Sequence, residues 1–282
     1  MIVGSRRSRR LADALTYAVV GFFLVFAIGP LLWLLLTSVK LESDIVTSEG
    51  VRYWPSSLTF EHYRAIWAQT DFPTLFRNST LTSSITIMLC MVSGTFAAYA
   101  FARERFRGRH TLLLGLLVVR MFPAVMMIIP LFIIMRGLGL LDSSAGLAIA
   151  YTSFLLPIFI WLLKGFFDNL PDDLEDAARI DGCTRLGALG RIVLPLVRNG
   201  LLATTVFVAI SAWNEFLFAL MLTTSAGSRT WPVGLQLMIG EFQLPWGMLS
   251  AGGILSIIPV VLLFAIVQRS MVHGLTAGAV KG

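Results

Sequence analysis

The sequence predicts an all-α integral membrane protein with six transmembrane helices and both termini in the cytoplasm. Two observations carry the class. Hydrophobic residues make up 56% of the 282 residues and charged residues only 13%, where a soluble domain carries about 25% charged residues; the mean hydropathy is +0.80. The apolar residues also gather into six runs, near 14–39, 79–102, 111–135, 145–167, 201–223 and 248–268, each long enough to cross about 30 Å of hydrocarbon as a helix. The whole chain, 1–282, reads as one membrane domain with no internal repeat, low-complexity tract or second soluble domain.

The first run follows RRSRR. A basic start before an apolar run is also the pattern of a secretory signal, but a signal core holds about 7–15 apolar residues. The run 14–39 is longer and reads as a retained span. The loop behind it, 40–77, contains YWPSSLTFEHYRAIW, with Leu58, Tyr63, Ile66 and Trp67 at helical spacing. Such a segment suits an interfacial helix with aromatic anchors; contact with a partner protein is the other reading.

Spans two to six are free of full charge except at three places. Arg120 lies inside the third, Glu215 inside the fifth, and Lys164 near the end of the fourth, where it can reach the interface. The remaining basic residues set the orientation. With the N-terminus inside, the inner segments hold fifteen of the 22 lysines and arginines and the outer segments six. That bias places both termini in the cytoplasm. The net charge of +6 and pI near 9.8 are thereby explained by arginines flanking apolar runs, and nucleic-acid binding is excluded as a function class.

The loop between spans four and five, 169–198, is the anomaly. NLPDDLEDAARIDG concentrates Asp172, Asp173, Glu175, Asp176 and Asp181 in a chain with 16 acids. Pro171 fits the first helical position, and the acids that follow complement a helix N-terminus. Glu175 and Arg179 stand four apart in the favourable order. Leu174, Ala177 and Ala178 form a narrow face, and Gly182 fits a left-handed cap. Thr184 fits the N-cap of a second helix with Leu186, Leu189 and Val193 on one side. The segment is predicted as a helix pair on the inner membrane surface. Its small-residue face admits close approach of another surface; a self-contained linker between spans is the plain alternative.

Glu175, Ala177, Ala178, Gly182, Ile192, Leu194 and Pro195 stand as E-x-A-A-x3-G-x9-I-x-L-P. This resembles the cytoplasmic signature of binding-protein-dependent permease subunits of ATP-binding-cassette importers. MFPAVMMIIPLF, AWNEFLFAL, RTWPVGL and the tail GLTAGAVKG resemble the carbohydrate-uptake branch, in its smaller, maltose-type second permease. The resemblance covers the chain from the first span to the last residue. Cys183 departs from the usual alanine and Asp176 from a common second glutamate.

The resemblance implies a heterodimer with a second permease, two cytoplasmic ATP-binding subunits that hold ATP and Mg, and an external sugar-binding protein. It implies a bacterial or archaeal cytoplasmic (inner) membrane. The helix after Pro171 would be the coupling helix, with Glu175, Asp176, Ala177, Ala178, Asp181 and Gly182 at the ATPase contact. The tail 270–282 would add Gly278, Ala279, Val280 and Lys281. The cargo would be a di- or oligosaccharide. A polyol or glycerol phosphate permease of the same type is the near alternative, and an ion-coupled secondary transporter is the alternative from another class.

The chain's own chemistry agrees with a non-catalytic subunit. It has no G-x-x-x-x-G-K-[ST] loop, no H-E-x-x-H and no G-x-S-x-G. Cys90 and Cys183 have no metal spacing, and His62, His110 and His273 lie far apart. No catalytic, cofactor or metal residue is expected. Arg120 and Glu215 lie at related depths, and charge at such depth faces protein or a wet cavity. One reading is a structural ion pair or interhelical hydrogen bonds. The other places Arg120, Trp213, Asn214 and Glu215 along a sugar path.

Overall fold

A computed structural model describes the backbone of residues 6–45, 50, 52–240 and 244–279, and side chains within that set from 12 to 268. The chain forms α1 (Arg6–Ser38), α2 (Glu42–Ile45), α3 (Glu61–Gln69), α4 (Phe72–Arg103), α5 (Arg109–Met121), a 3-10 turn (Ala124–Met127) and α6 (Ile128–Gly137). It continues with α7 (Ser144–Asp168), α8 (Asp173–Ile180), α9 (Arg185–Ala188), a π-turn (Leu189–Val193) and α10 (Leu194–Leu196). It ends with α11 (Arg198–Trp213), α12 (Leu217–Leu222), α13 (Trp231–Leu237) and α14 (Trp246–Ala279).

Among the described residues four helical stretches are long and apolar enough to cross a membrane: Ala12–Ser38, Phe72–Arg103, Ser144–Asp168 and Trp246–Gln268. Two bent pairs bring the number of candidate spans up to six: Arg109–Met121 with Ala124–Gly137, bent by 98°, and Arg185–Leu196 with Arg198–Trp213, bent by 80°. The expected third span, 111–135, is therefore not one continuous helix. Pro123 supplies no N–H and forces the residue before it out of helical geometry; Phe122 takes φ −67° and ψ 133°. The expected fifth span, 201–223, is interrupted as well. α11 stops at Trp213, and α12 restarts at Leu217.

The chain divides into two compact units, Met1–Thr70 with Met238–Ile257, and Asp71–Leu237 with Ile258–Gly282. In the first unit the loop behind α1 folds around a buried lysine. Lys40 Nζ donates to the Arg52 carbonyl at 2.7 Å and lies 4.2 Å from the centre of the Trp33 ring. Burial lowers its pKa, against the pull of Asp44. Asp44 accepts the Ser56 backbone N–H at 2.8 Å and the Arg52 guanidinium at 2.7 Å. α3 forms where the spacing predicts. It buries Ile66 and His62, and leaves Leu58 ahead of it and Trp67 on its outer face exposed.

In the second unit α4 and α7 form the centre. Gly94 lets the two helices close: a Cβ there would lie 2.4 Å from Phe159 Cδ1. Gly200 of α11 approaches the Phe166 ring in the same way. Without a hydrophobic drive between helices in lipid, such small-residue contacts and interhelical hydrogen bonds hold a bundle. The core around them includes Cys90, Ala98, Tyr151, Phe159, Leu163 and Phe167.

The loop 138–143 is tied to the loop 223–229. Asp142 takes φ 59°, a left-handed conformation that Asp tolerates better than most residues. Its N–H donates to the Leu222 carbonyl at 2.9 Å. Its carboxylate accepts the N–H groups of Thr224 and Ser225 and the Ser228 hydroxyl. Asn78 of α4 adds a second tie, donating to the carbonyls of Gly227 and Arg229 at 2.7 and 3.0 Å. Nothing in the sequence pattern singled out either residue.

Candidate docking site on the charged loop

α7 ends at Asp168, and Pro171 follows in irregular chain, outside the helix. α8 starts at Asp173, two residues after that proline, with Asp173, Glu175 and Asp176 in its first turn. Negative charge there offsets the helix dipole. Its end is the predicted left-handed cap. Gly182 has φ +89°, its N–H donates to the Arg179 carbonyl at 3.1 Å, and Cys183 N–H donates to Ala178 at 2.9 Å. Two otherwise orphaned carbonyls are satisfied by this one turn. The Thr184 hydroxyl then accepts Gly187 N–H at 3.1 Å and starts α9.

The second helix does not run regularly to Pro195. It widens into the π-turn Leu189–Val193. The cause lies in Pro195, whose ring crowds the carbonyl four residues back and which has no N–H to pair it. Leu189 and Val193 are buried while Leu186 is 67% exposed, so the predicted single face is divided.

The faces of α8 are divided too. Ala178 packs inward, while Leu174, Ala177 and Ile180 point out, Ile180 at 86% exposure. Asp181 and Gly182 are exposed beside them. Glu175 is buried and does not pair with Arg179; Arg179 lies 3.5 Å from Asp176 instead. The better partner for Glu175 is on α4. Arg103 Nε donates to Glu175 Oε1 at 2.5 Å and the Tyr99 hydroxyl to Oε2 at 2.7 Å. Arg103 Nη1 lies 2.6 Å from Asp172 Oδ1, and Nη2 donates to the Leu170 carbonyl at 3.0 Å. Arg185 of α9 pairs with Glu104, the residue after α4. A polar cleft of about 150 Å³ lies among these groups.

Sequence reasoning missed Tyr99, Arg103 and Glu104. A signal existed: an arginine ends an apolar span on the side where the chain later supplies an acid-rich segment. The sequence distance of about seventy residues hid the pairing.

The other expected sites are placed as follows. Arg120 Nη1 donates to the Phe154 carbonyl of α7 at 2.8 Å, an interhelical hydrogen bond. Glu215 accepts the N–H groups of Phe218 and Ala219 at 2.8 and 3.1 Å and so caps α12. No ion pair joins Arg120 and Glu215 among the described residues. Trp213 is buried, its ring 5.2 Å from that of Phe76, edge to face. Asn214 is exposed, with its amide on the Ile210 carbonyl. Gly278 and Ala279 form the last turn of α14. Val280 and Lys281 lie outside the described residues.

Comparison with known proteins gives consistent matches. The family model "Binding-protein-dependent transport system inner membrane component" matches residues 90–276. The sulfoquinovosyl glycerol transport system permease of Agrobacterium fabrum is 38% identical over 268 residues, covering 95% of this chain and 94% of that one. The trehalose transport system permease of Mycobacterium tuberculosis is 38% identical over 282 residues, covering 99% and 100%. The diacetylchitobiose uptake system permease of Streptomyces coelicolor is 36% identical, covering 90% and 91%. Among solved structures, a chain of a bacterial ABC transporter involved in import of the acidic polysaccharide alginate superposes with a TM-score of 0.80 at 25% identity, covering 95% and 99%.

Proposed function

The chain belongs to the family of binding-protein-dependent transport system inner membrane components, and from that premise we propose how it works in its transporter. It is a permease subunit of a carbohydrate importer of the ATP-binding-cassette type. Its cargo is a di- or oligosaccharide, as the names of the trehalose and diacetylchitobiose permeases suggest, while the sulfoquinovosyl glycerol permease is named for a sugar–glycerol conjugate. It pairs with a second permease, so that each forms half of the path. Two cytoplasmic subunits bind and hydrolyse ATP, and an external binding protein delivers the sugar. The chain crosses the inner membrane six times, each bent pair counting as one span, with both termini inside.

The observation that carries this reading is the outward face of α8. Leu174, Ala177 and Ile180 form an exposed apolar strip on a capped helix of eight residues. The helix is held in place by Arg103 and Tyr99 from behind. An apolar strip on a rigid, charged element suits a protein groove. ATP binding closes the ATPase pair, and only a partner that binds two states differently can drive the permease between them. Asp176, Asp181 and Gly182 border the strip; Glu175 supports it from inside. Gly278, Ala279, Val280 and Lys281 add the second contact with the ATPases. Asn214 offers an exposed polar group to the sugar path, with Trp213, Glu215 and Arg120 holding the wall around it.

The test is reconstitution in proteoliposomes with the partner permease, the ATPase and the binding protein. Trehalose, maltose and diacetylchitobiose are supplied in turn. One of them stimulates ATP hydrolysis only when this chain is present, and uptake follows ATP. Uptake without ATP, driven by an ion gradient, would instead identify a secondary transporter.

A further inference from the structure

We infer that Arg103 fastens the α8 helix to α4, so that α4 moves with α8 as one body when the ATPases act, and that Tyr99 completes the fastening. The inference rests on the docking of α8 proposed above, but concerns what lies behind that helix and not the face it presents.

α8 is linked to α7 through residues 169–172 and to α9 through residues 181–184. Neither short link is a rigid helical continuation. Motion of α8 therefore reaches the spans through side chains or is lost in the links. Arg103 is the last residue of α4. All three of its guanidinium nitrogens are committed to the start of α8 and its approach: Nε to Glu175, Nη1 to Asp172 and Nη2 to the Leu170 carbonyl. The Arg103 and Glu175 side chains are each 11% exposed, so solvent screens the pair little. Tyr99, one turn earlier on α4, donates its hydroxyl to the second oxygen of the same carboxylate. The Glu175 carboxylate thus has one α4 donor on each oxygen. A planar fork with several fixed donors resists rotation in a way that one ammonium group cannot.

The link continues beyond α8. Glu104 accepts Arg185 of α9, so the cytoplasmic end of α4 grips both short helices. α4 in turn carries Gly94 against Phe159 of α7 and Asn78 against the loop 227–229. A displacement of α8 is passed through Arg103 into a helix of 32 residues, which is about 48 Å long at 1.5 Å per residue. Its far end holds Asn78 and the loop near α13. Arg103 is a positioning residue here and touches neither sugar nor nucleotide.

The experiment uses the assembled complex in nanodiscs, with Cys90→Ala and Cys183→Ala as background. Nitroxide labels are placed at Asp173→Cys on α8, outside the apolar strip, and Phe96→Cys on α4, both exposed, and distances are read by pulsed electron resonance with and without ATP. A single label at Asp173→Cys reports whether α8 docks: ATP alters its mobility if it does. No change at that label overturns the docking reading on its own. Given that change, the Asp173–Phe96 distance stays constant on adding ATP in the otherwise native chain. It shifts or broadens with ATP in Arg103→Met, and less so in Tyr99→Phe, which removes one hydroxyl and leaves packing intact. A native distance that changes with ATP overturns the inference. So does an assembled Arg103→Met complex whose distance stays constant.

Discussion

Asp142 Oδ1 lies 2.7 Å from the backbone nitrogen of Thr224, across a gap of 82 residues in sequence. Burial works against ionisation of Asp142. The Ser228 hydroxyl and the N–H groups of Ser225 and Thr224 outweigh it and hold its carboxyl well below the usual carboxylate range. A depressed carboxyl pKa contributes stability that is present above the unfolded value, near 4, and is lost as pH falls below it. Thermal unfolding of the detergent-solubilised protein should therefore show a stability loss below about pH 4 that Asp142→Asn makes smaller, with Asp44, also held below the usual range by Ser56 and Arg52, keeping its own share. Asp142→Ala should cost about 1–2 kcal/mol at pH 7. Equal acid sensitivity in the asparagine variant would contradict this role.

Gly182 stands at φ +89° with open space around its Cα. Strain, not collision, sets its cost. Gly182→Ala should lose about 1–2 kcal/mol of cap stability, and the β-branched Gly182→Val more. In the reconstituted importer Gly182→Ala should retain partial sugar uptake and Gly182→Val little or none. Uptake at the native rate in Gly182→Val would show that the turn is dispensable.

Arg103→Met leaves the Glu175 carboxylate buried without its cation, a change that typically costs about 3–5 kcal/mol. Adding Glu175→Gln removes the stranded charge. The double variant should therefore be more stable than Arg103→Met alone, with a coupling energy of about 0.5–3 kcal/mol. A double-mutant cycle read by thermal unfolding measures it; strict additivity is the outcome that disproves a direct pair.

Gly94→Val would drive a side chain into the Phe159 ring. Overpacking of this kind costs about 1–3 kcal/mol. Phe159→Leu should recover part of the loss when combined with Gly94→Val, although alone it is destabilising. The melting temperatures of the two single variants and the double decide the matter.

Arg120 and Glu215 should behave independently. Arg120 serves the Phe154 carbonyl and Glu215 the start of α12. Reversing both charges, Arg120→Glu with Glu215→Arg, should not rescue the single variants in membrane yield or uptake. Rescue would mean that the two meet in some state of the transport cycle.

The sequence made legible what is periodic or local. α1, α3 and α7 follow from apolar runs and spacing, and the Gly182 cap follows from the chemistry of a single glycine. The family of the chain was legible from the E-x-A-A-x3-G segment and its neighbours. What escaped was non-local. Glu175 had an adequate partner four residues away in Arg179, yet the fold supplies Arg103 and Tyr99 from α4, where three guanidinium nitrogens find acceptors together. Leu186 and Leu189 read as one face because an even helix was assumed, and the π-turn before Pro195 rotates them apart. The Phe122–Pro123 break was written in the sequence, but hydropathy averaged over the whole run concealed it.

The two interrupted stretches, 122–123 and 214–216, carry a consequence for where water runs. A regular helix hides its own peptide groups and can face hydrocarbon all round. A broken one exposes carbonyls and N–H groups that oil cannot satisfy. Glu215 answers two of these groups at the second break, and the rest need other polar company. These two short stretches therefore cannot be turned to the acyl chains. Each must instead face protein or a water-filled space.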